Sequence, residues 1–380
     1  MEARDGAGVV NEDLVIVFVD ALPYEALPLL VRSRRALSWH RPLQPGFGYS
    51  INVKSELFAG LVPDAVGFLN EWTYRPRSGA GWVGAPRWLW RHVNRSRVVR
   101  RGVTKVLSRL VKEDLRNIPL PLLPAMVRTG ANAYERGYER ETLFSRHGVT
   151  RYVYTEHGGD DGAYRALRRA IESSPGPIRA FLAQCELDHV THKYGKGTRE
   201  YRAMIDRIDT RLAELWEVLR ARGAGRLCLV SDHGMANVER HVTFDIAEAI
   251  GGAGERYGYF VDATMARVWS DDESVLVSVQ AWLVGQRLPG RVLSPEERSR
   301  WGISTPAFGQ LVFLLDEGAM FVPNFFGDRP CKAMHGYWPS LSSQRGLLAA
   351  SVPLNDCEEH ETVTAIQAHH SLSRCAAMSC

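Results

Sequence analysis

Three stretches of the chain are almost continuously apolar and then stop on an acid: LVIVFVD at Asp20, IRAFLAQCELD at Asp188, and LCLVSDHG, which passes from Val230 to Asp232 and His233. Runs of this length without polar alternation predict strands buried on both faces, as in the interior of a parallel sheet. RYVYTE reads as a further strand. Between them lie helical patterns: GAYRALRRAIESS, and TREYRAMIDRIDTRLAELWEVLRARG, with Tyr201, Met204, Ile205, Ile208, Leu212, Leu215, Trp216 and Leu219 on one side and Gly223 as its stop. After Asp20, the segment PGFGYSINVKSELFAGLVPDAVGF predicts a Gly/Pro-rich loop, a helix from about Ser50 to Phe58 and a stop at Gly60. Strands alternating with helices predict an α/β fold, a largely parallel central sheet flanked by helices.

Two regions break this rhythm. Residues 72–140 read as an inserted cap, with WVGAPRWLWRHV followed by VVRRGVTKVLSRLVK, which sets Val99, Val103, Val106 and Leu110 on one helical face and arginines on the other. NIPLPLLPAMV is too proline-rich for a regular helix. Residues 252–330 are less regular and are expected to form a smaller subdomain. After Cys357 the chain is polar and His-rich without a clear period, so 357–380 is expected to be a flexible tail with His369 and His370 in solvent. The expected division is therefore a main domain of 1–71 and 141–356, the cap of 72–140, and the tail.

Composition excludes some classes. The apolar and charged fractions are ordinary for a globular protein, and no window approaches the roughly 18 apolar residues of a membrane span. The first residues, MEARDGAGVVNED, carry early acids and do not read as a secretory signal. The six cysteines show no CxxC spacing, and Cys185 and Cys228 sit in strand-like runs where a thiol packs as a small hydrophobe. A cytoplasmic protein is the expectation. The net charge of +4 conceals an asymmetry: Arg75 to Lys112 contains eleven Lys or Arg and no Asp or Glu, so the remainder is net acidic.

The strand ends carry the candidate chemistry. Asp20 closes the first, Asp188 and His192 follow the second at a spacing that faces both to one side of a helical turn, and Asp232 and His233 close the third. His335 stands in the loop KAMHGYWP. Each alone is accounted for as a strand-end cap or a satisfied histidine. Together they form a mixed carboxylate and imidazole set that suits Zn²⁺, with Mn²⁺ or Fe as alternatives. His40, His157, His189 and His241 read as surface or supporting residues.

The segments VFVDALPY, GYSINVKSELFAGLVPDAVGFLNEW, ELDHVTHKYG, VSDHGM, DATMARVW and MHGY occur in an order that resembles the alkaline phosphatase superfamily, in particular its type I phosphodiesterase/nucleotide pyrophosphatase branch, across roughly residues 14–340. The resemblance implies an alkaline phosphatase-like fold and two divalent metal ions, one held by Asp188, His192 and His335 and the other by Asp20, Asp232 and His233. It implies a Ser or Thr nucleophile that also reaches the second metal. Ser50 matches, ten residues before Gly60, with Pro63 and Gly67 in register. An Asn that contacts a phosphate oxygen is matched by Asn70 with an offset of one residue. The family's Thr-Phe-Pro-Asn is replaced here by Tyr49-Ser50-Ile51-Asn52, which keeps Ser55 open as an alternative nucleophile.

The activity so implied is a metal-dependent phosphohydrolase that cleaves a phosphodiester or pyrophosphate bond through a phosphoseryl intermediate. The alternatives are a phosphomonoesterase or phosphotransferase acting on a sugar, metabolite or lipid-linked phosphate, and a catalytically silent member that binds membranes or an acidic partner. The basic segment has three readings: a solvated helical face, a platform for an acidic substrate, and peripheral contact with anionic lipid through 75–112, where Trp82, Trp88 and Trp90 lie beside arginines. No nucleic-acid-binding motif is present.

Overall fold

The computed structural model describes residues 12–75, 96–111, 115, 117–129, 134, 138, 140–223, 225–354 and 361–378. A seven-stranded sheet is built from β1 (Asp13–Val19), β2 (Trp39–Gln44), β3 (Thr150–Tyr152), β4 (Arg179–Gln184), β5 (Gly225–Val230), β6 (Gly346–Ala350) and β7 (Val363–Thr364), in the order β7-β2-β6-β5-β1-β4-β3. β1 pairs in parallel with β4 and β5, Val17 lying opposite Leu182 on one side and Leu229 on the other. β3 is parallel to β4 and β7 to β2, whereas β6 is antiparallel to both its neighbours. The fold is thus mixed α/β with a mostly parallel central sheet.

Helices that flank this sheet include α1 (Ser50–Ala59), α2 (Asp160–Ser173), α3 (Glu186–Tyr194), α4 (Arg199–Ala221) and α5 (Ala365–Met378). The unbroken apolar run of β1 is explained by its two faces. Leu14, Ile16 and Phe18 pack with Val53 and Leu57 of α1 and Leu372 of α5. Val15, Val17 and Val19 pack with Leu167 of α2 and Ile205, Ile208 and Leu212 of α4. Each such side chain, fully buried, contributes about 1.5–3 kcal/mol. α4 opens on Thr198, whose hydroxyl accepts from the Tyr201 N–H, and ends just before Gly223, which takes a φ of 111°.

A second, four-stranded sheet of Gly258–Val261, Met265–Trp269, Leu311–Leu315 and Gly290–Val292 lies within the 252–330 segment. Its core is shared with the segment expected as an inserted cap: Trp72, Ile118, Leu122 and Met126 join Phe260, Val268 and Phe313, and strand Trp72–Tyr74 pairs with Met126–Arg128. The basic helix Arg97–Val111 leans on this core through Val103 and Leu107. Val99, Val106 and Leu110 stay exposed. Trp82, Trp88 and Trp90 lie outside the described residues. Among the described residues, no helix is long and apolar enough to cross a membrane.

The flexible tail is a correction. Residues 365–378 form α5, with Ala365, Ala368, Leu372, Cys375 and Ala376 buried against the main core. The contacting residues are mostly small, so their spacing does not stand out as an apolar stripe. His369 is also buried, its Nδ1 bonded to the Leu57 carbonyl at the end of α1, whereas His370 is exposed as expected.

Candidate active site

β1, β4 and β5 run in parallel, so their C-terminal ends lie at one edge of the sheet, the usual ligand edge of such folds. Asp20 directly follows β1, Asp188 sits in the first turn of α3 after β4, and Asp232 and His233 follow β5. His335 comes from the loop after the short strand Ala333–Met334. Ligand atoms of Asp20, Asp232 and His233 lie within 4.8 Å of one another, and so do those of Asp188, His233 and His335. The two sets adjoin, because the His233 and His335 rings stack at 3.7 Å. His192 is beside the second set, with Nε2 3.2 Å from Asp188 Oδ1.

Backbone contacts orient the imidazoles. His192 Nδ1 lies 2.8 Å from the Ala333 carbonyl and His233 Nδ1 lies 3.0 Å from the Gly234 carbonyl, so both donate through Nδ1–H and present Nε2 to the carboxylates. Ser50 is the first residue of α1, and its hydroxyl donates to His233 Nε2 at 2.8 Å. Ala21 adopts a left-handed φ of 63° directly after Asp20, and its N–H donates to Asp232 Oδ1. A non-glycine residue held there costs on the order of 1 kcal/mol, which the site's surroundings must offset.

Polar satisfaction is incomplete here. Asp20 Oδ1, Asp232 Oδ2 and His335 Nδ1 are buried without a hydrogen-bond partner. Burial, and then Asp20, push the Asp232 carboxyl up to about 7. Burial and neighbouring His233 hold His335 well below the ordinary imidazole range, leaving its ring neutral. Burial opposes the charge of Asp188, yet His192, with His335 and His233 behind it, holds that carboxyl below the usual range. Unpartnered carboxylate oxygens beside a neutral imidazole are the donor set a divalent cation takes, and these residues fit such an ion.

A cavity of about 900 Å³ opens onto the site. Ser50, Asn70, Asp188, His192 and His335 line it, together with Tyr49, Tyr154 and Phe326. Asp20, Asp232 and His233 lie beneath its floor, at most 6% exposed. Asn70 accepts from the Tyr49 N–H through Oδ1, and its Nδ2 lies 3.1 Å from the Met265 sulfur, a weak acceptor, with the Asp262 carboxyl also in reach of its side chain. The loop carrying Asn70 is held by Arg267, whose Nη1 donates to the Leu69 and Trp72 carbonyls.

Asp20, Ser50, Asn70, Asp188, His192, Asp232, His233 and His335 therefore come together at one edge of the sheet. Ser55 does not: its hydroxyl donates to the Asn52 carbonyl at 2.6 Å within α1, fully buried. His189 lines the cavity, but its ring is bonded to the Cys185 carbonyl. Two groups escape the sequence reading. Lys54, one turn after Ser50, is buried with Nζ 2.8 Å from Asp20 Oδ2. Its signal is a lysine among the core residues Val53, Leu57 and Phe58 of a short helix. Tyr49 braces the site through its hydroxyl, 2.8 Å from Thr264 Oγ1, which in turn bonds the Gly336 carbonyl beside His335.

The family model described as type I phosphodiesterase / nucleotide pyrophosphatase matches residues 180–338. That stretch holds Asp188, His192, Asp232, His233 and His335, and Asp20, Ser50 and Asn70 lie outside it. No curated protein matches the sequence. Among solved structures, human ectonucleotide pyrophosphatase/phosphodiesterase 5 is similar with a TM-score of 0.67 at 15% identity, over 96% of this chain and 95% of that one. An inactive form of the murine protein in complex with AMP gives 0.66 at 16% identity, over the same shares of 96% and 95%. Phosphonoacetate hydrolase from Sinorhizobium meliloti 1021, in complex with phosphonoacetate, gives 0.58 at 14%, over 97% and 96%. At these identities the structures share a fold with this chain, and the family model bears out the resemblance seen in the motifs.

Proposed function

We propose, from the premise that this chain is similar to the type I phosphodiesterases and nucleotide pyrophosphatases, that it is a two-metal phosphohydrolase acting on a phosphodiester or pyrophosphate. The observation that carries this reading is the convergence of three carboxylates and three imidazoles, with unpartnered buried ligand atoms, around one hydroxyl at a helix start. Asp188, His335 and His192 would hold one ion, and Asp20, Asp232, His233 and Ser50 the other. Two bound ions, Zn²⁺ first among the candidates and Mn²⁺ or Fe next, would supply positive charge to the phosphoryl oxygens and to the attacking and leaving oxygens.

Within the chain, Ser50 is the nucleophile. Its oxygen forms the bond to phosphorus as the bond to the leaving oxygen breaks, and water later cleaves the phosphoseryl ester. The free N–H groups of the first turn of α1 favour the charge that develops there. Asn70 exchanges its contact with the Met265 sulfur for a phosphoryl oxygen. The cavity of about 900 Å³ has room beyond a bare phosphate, which favours a substrate esterified on both sides. AMP in the murine relative and phosphonoacetate in the bacterial one are consistent with a small phosphorus-bearing ligand.

Hydrolysis of bis-p-nitrophenyl phosphate against p-nitrophenyl phosphate, after chelation and metal add-back, tests the reading. Preference for the diester supports it. Preference for the monoester moves the protein to the phosphomonoesterase alternative, and no turnover with any added metal favours the silent binder. A peripheral membrane contact is a separate element of the proposal, supported by the exposed Val99, Val106 and Leu110 beside exposed Lys105 and Arg109. Co-sedimentation with phosphatidylserine vesicles, lost in Leu110→Asp, is the expected result, and equal pelleting of both proteins would remove it.

A further inference from the structure

The Asp20–Asp232–His233 set already contains a cation. Lys54 Nζ lies 2.8 Å from Asp20 Oδ2, and both side chains are at most 10% exposed. The ammonium is wedged against the rings of Tyr134 and Phe18, at 4.8 and 5.2 Å. Its place on α1, one turn after Ser50, fixes it on the face that looks at the carboxylates. Among the described residues, no other Lys or Arg forms an ion pair with Asp20, Asp188 or Asp232. The neighbours of Asp188 are instead imidazoles, His192 at 3.2 Å and His335 at 3.8 Å. One set therefore faces the cavity with its carboxylate opposed only by imidazoles, and the other is roofed over and shares its carboxylate with a fixed positive charge.

We propose that Lys54 competes with a divalent ion for Asp20, making the Asp20–Asp232–His233 set the weaker and more exchangeable of the two cation sites. This deepens the two-metal reading and rests on it. An ion entering this set would have to share Asp20 with the ammonium or displace it. Either way it meets a like charge a few ångströms off in a poorly hydrated interior, where such repulsion is only partly screened. Asp20 Oδ1 and Asp232 Oδ2 remain unpartnered, so the set is weakened but not closed. The tight ion would then be a resident of the Asp188–His335 side and the second would be in exchange with solution.

Titration of the chelator-stripped full chain with Zn²⁺, and separately Mn²⁺, by calorimetry, with metal content measured after gel filtration, tests this without reference to turnover. Wild type should show two classes of site and retain one ion through the column. Lys54→Met should tighten the weaker class by on the order of 100-fold and retain two. Asp20→Asn, a near-isosteric change that leaves Lys54 in place, should delete the weaker class and spare the tight one. The proposal is overturned by two equally tight classes in wild type, by a Lys54→Met titration unchanged or weaker, or by loss of the tight class in Asp20→Asn. Two equal classes with turnover intact would sink it alone, whereas no binding of either metal would sink the two-metal reading with it.

Discussion

The molecule buries carboxylates in two contrasting ways. In the small sheet, Asp262 and Arg267 are both fully buried and pair at 3.0 Å, one negative charge against one positive, with the guanidinium also donating to the carbonyls of Leu69, Trp72 and Phe308. At the edge of the main sheet, Asp20, Asp188 and Asp232 meet one ammonium among the described residues, that of Lys54 on Asp20, and otherwise imidazoles. The first arrangement balances its charges and shares the guanidinium with backbone carbonyls, which makes a buried pair tolerable even though Asp262 Oδ1 and Arg267 Nη2 lack a hydrogen-bond partner. The second is short of positive charge and carries unpartnered oxygens. Carboxylates outnumbering their cations in this way fit the proposed metal site, and local stability is what such an arrangement gives up.

The sharpest separation of the two regions comes from removing one group in each. Ser50→Ala should lower kcat/KM for bis-p-nitrophenyl phosphate by roughly 10⁴-fold, as expected for loss of a nucleophile, with the thermal midpoint little changed. Ser55→Ala should leave the rate within about threefold, because that hydroxyl only satisfies the Asn52 and Leu61 carbonyls. Comparable losses from both serines would remove Ser50 from the role. Arg267→Met should do the reverse, costing about 3–5 kcal/mol in urea unfolding by stranding Asp262. Replacing both partners with apolar residues should recover much of that loss, and metal retention should survive in either variant.

Much of this arrangement is legible in the sequence, for a physical reason. An unpaired charge inside a strand buried on both faces is costly, so Asp20 and Asp232 stand out where β1 and β5 leave the core. The register of Ser50, Gly60, Pro63 and Gly67 is legible because left-handed turns at Gly60 and Gly67, with φ of 68° and 80°, shape the loop after α1. What fails to show is burial imposed by distant parts of the chain. Lys54 looks like a surface lysine until Tyr134 and Phe18 close over it. His369 looks solvated until α5 docks on α1 and the ring meets the Leu57 carbonyl. The adjacency of His233 to both ligand sets depends on its stacking with His335, 102 positions away, and no local pattern records that contact.

A further buried acid sharpens the contrast, because its charge is opposed by burial alone. Glu56, on α1 beside Gly46, is almost fully buried, and burial alone pushes its carboxyl up to about 8. With the folded value above the unfolded one, its contribution is full below about pH 4.5 and is lost progressively as pH rises through 8. Glu56→Gln keeps the shape and removes the ionisation. It should therefore match wild type at pH 5 and be more stable by roughly 2–3 kcal/mol at pH 9. Parallel stability profiles for the two proteins across that range would show that Glu56 is solvated or paired.

Asp232 provides the closest test of the idea that the strand-end carboxylates oppose the fold. In the chelator-stripped protein its charge is resisted by burial and then by Asp20, which push the carboxyl up to about 7. Its Oδ1 accepts from the N–H groups of Ala21 and His233, and its Oδ2 has no partner. Asp232→Asn keeps an accepting oxygen for those two N–H groups and deletes the charge. The raised carboxyl means that wild-type stability falls as pH rises from about 4 to about 7, so the variant gains only above that window. At pH 8 the stripped Asp232→Asn protein should be more stable than wild type by about 1–2 kcal/mol, while zinc stabilises it less than it does wild type. A variant destabilised at pH 8 by as much as Arg267→Met would mean that the site's carboxylates are held as structural groups, and the distinction between the two buried regions would fall.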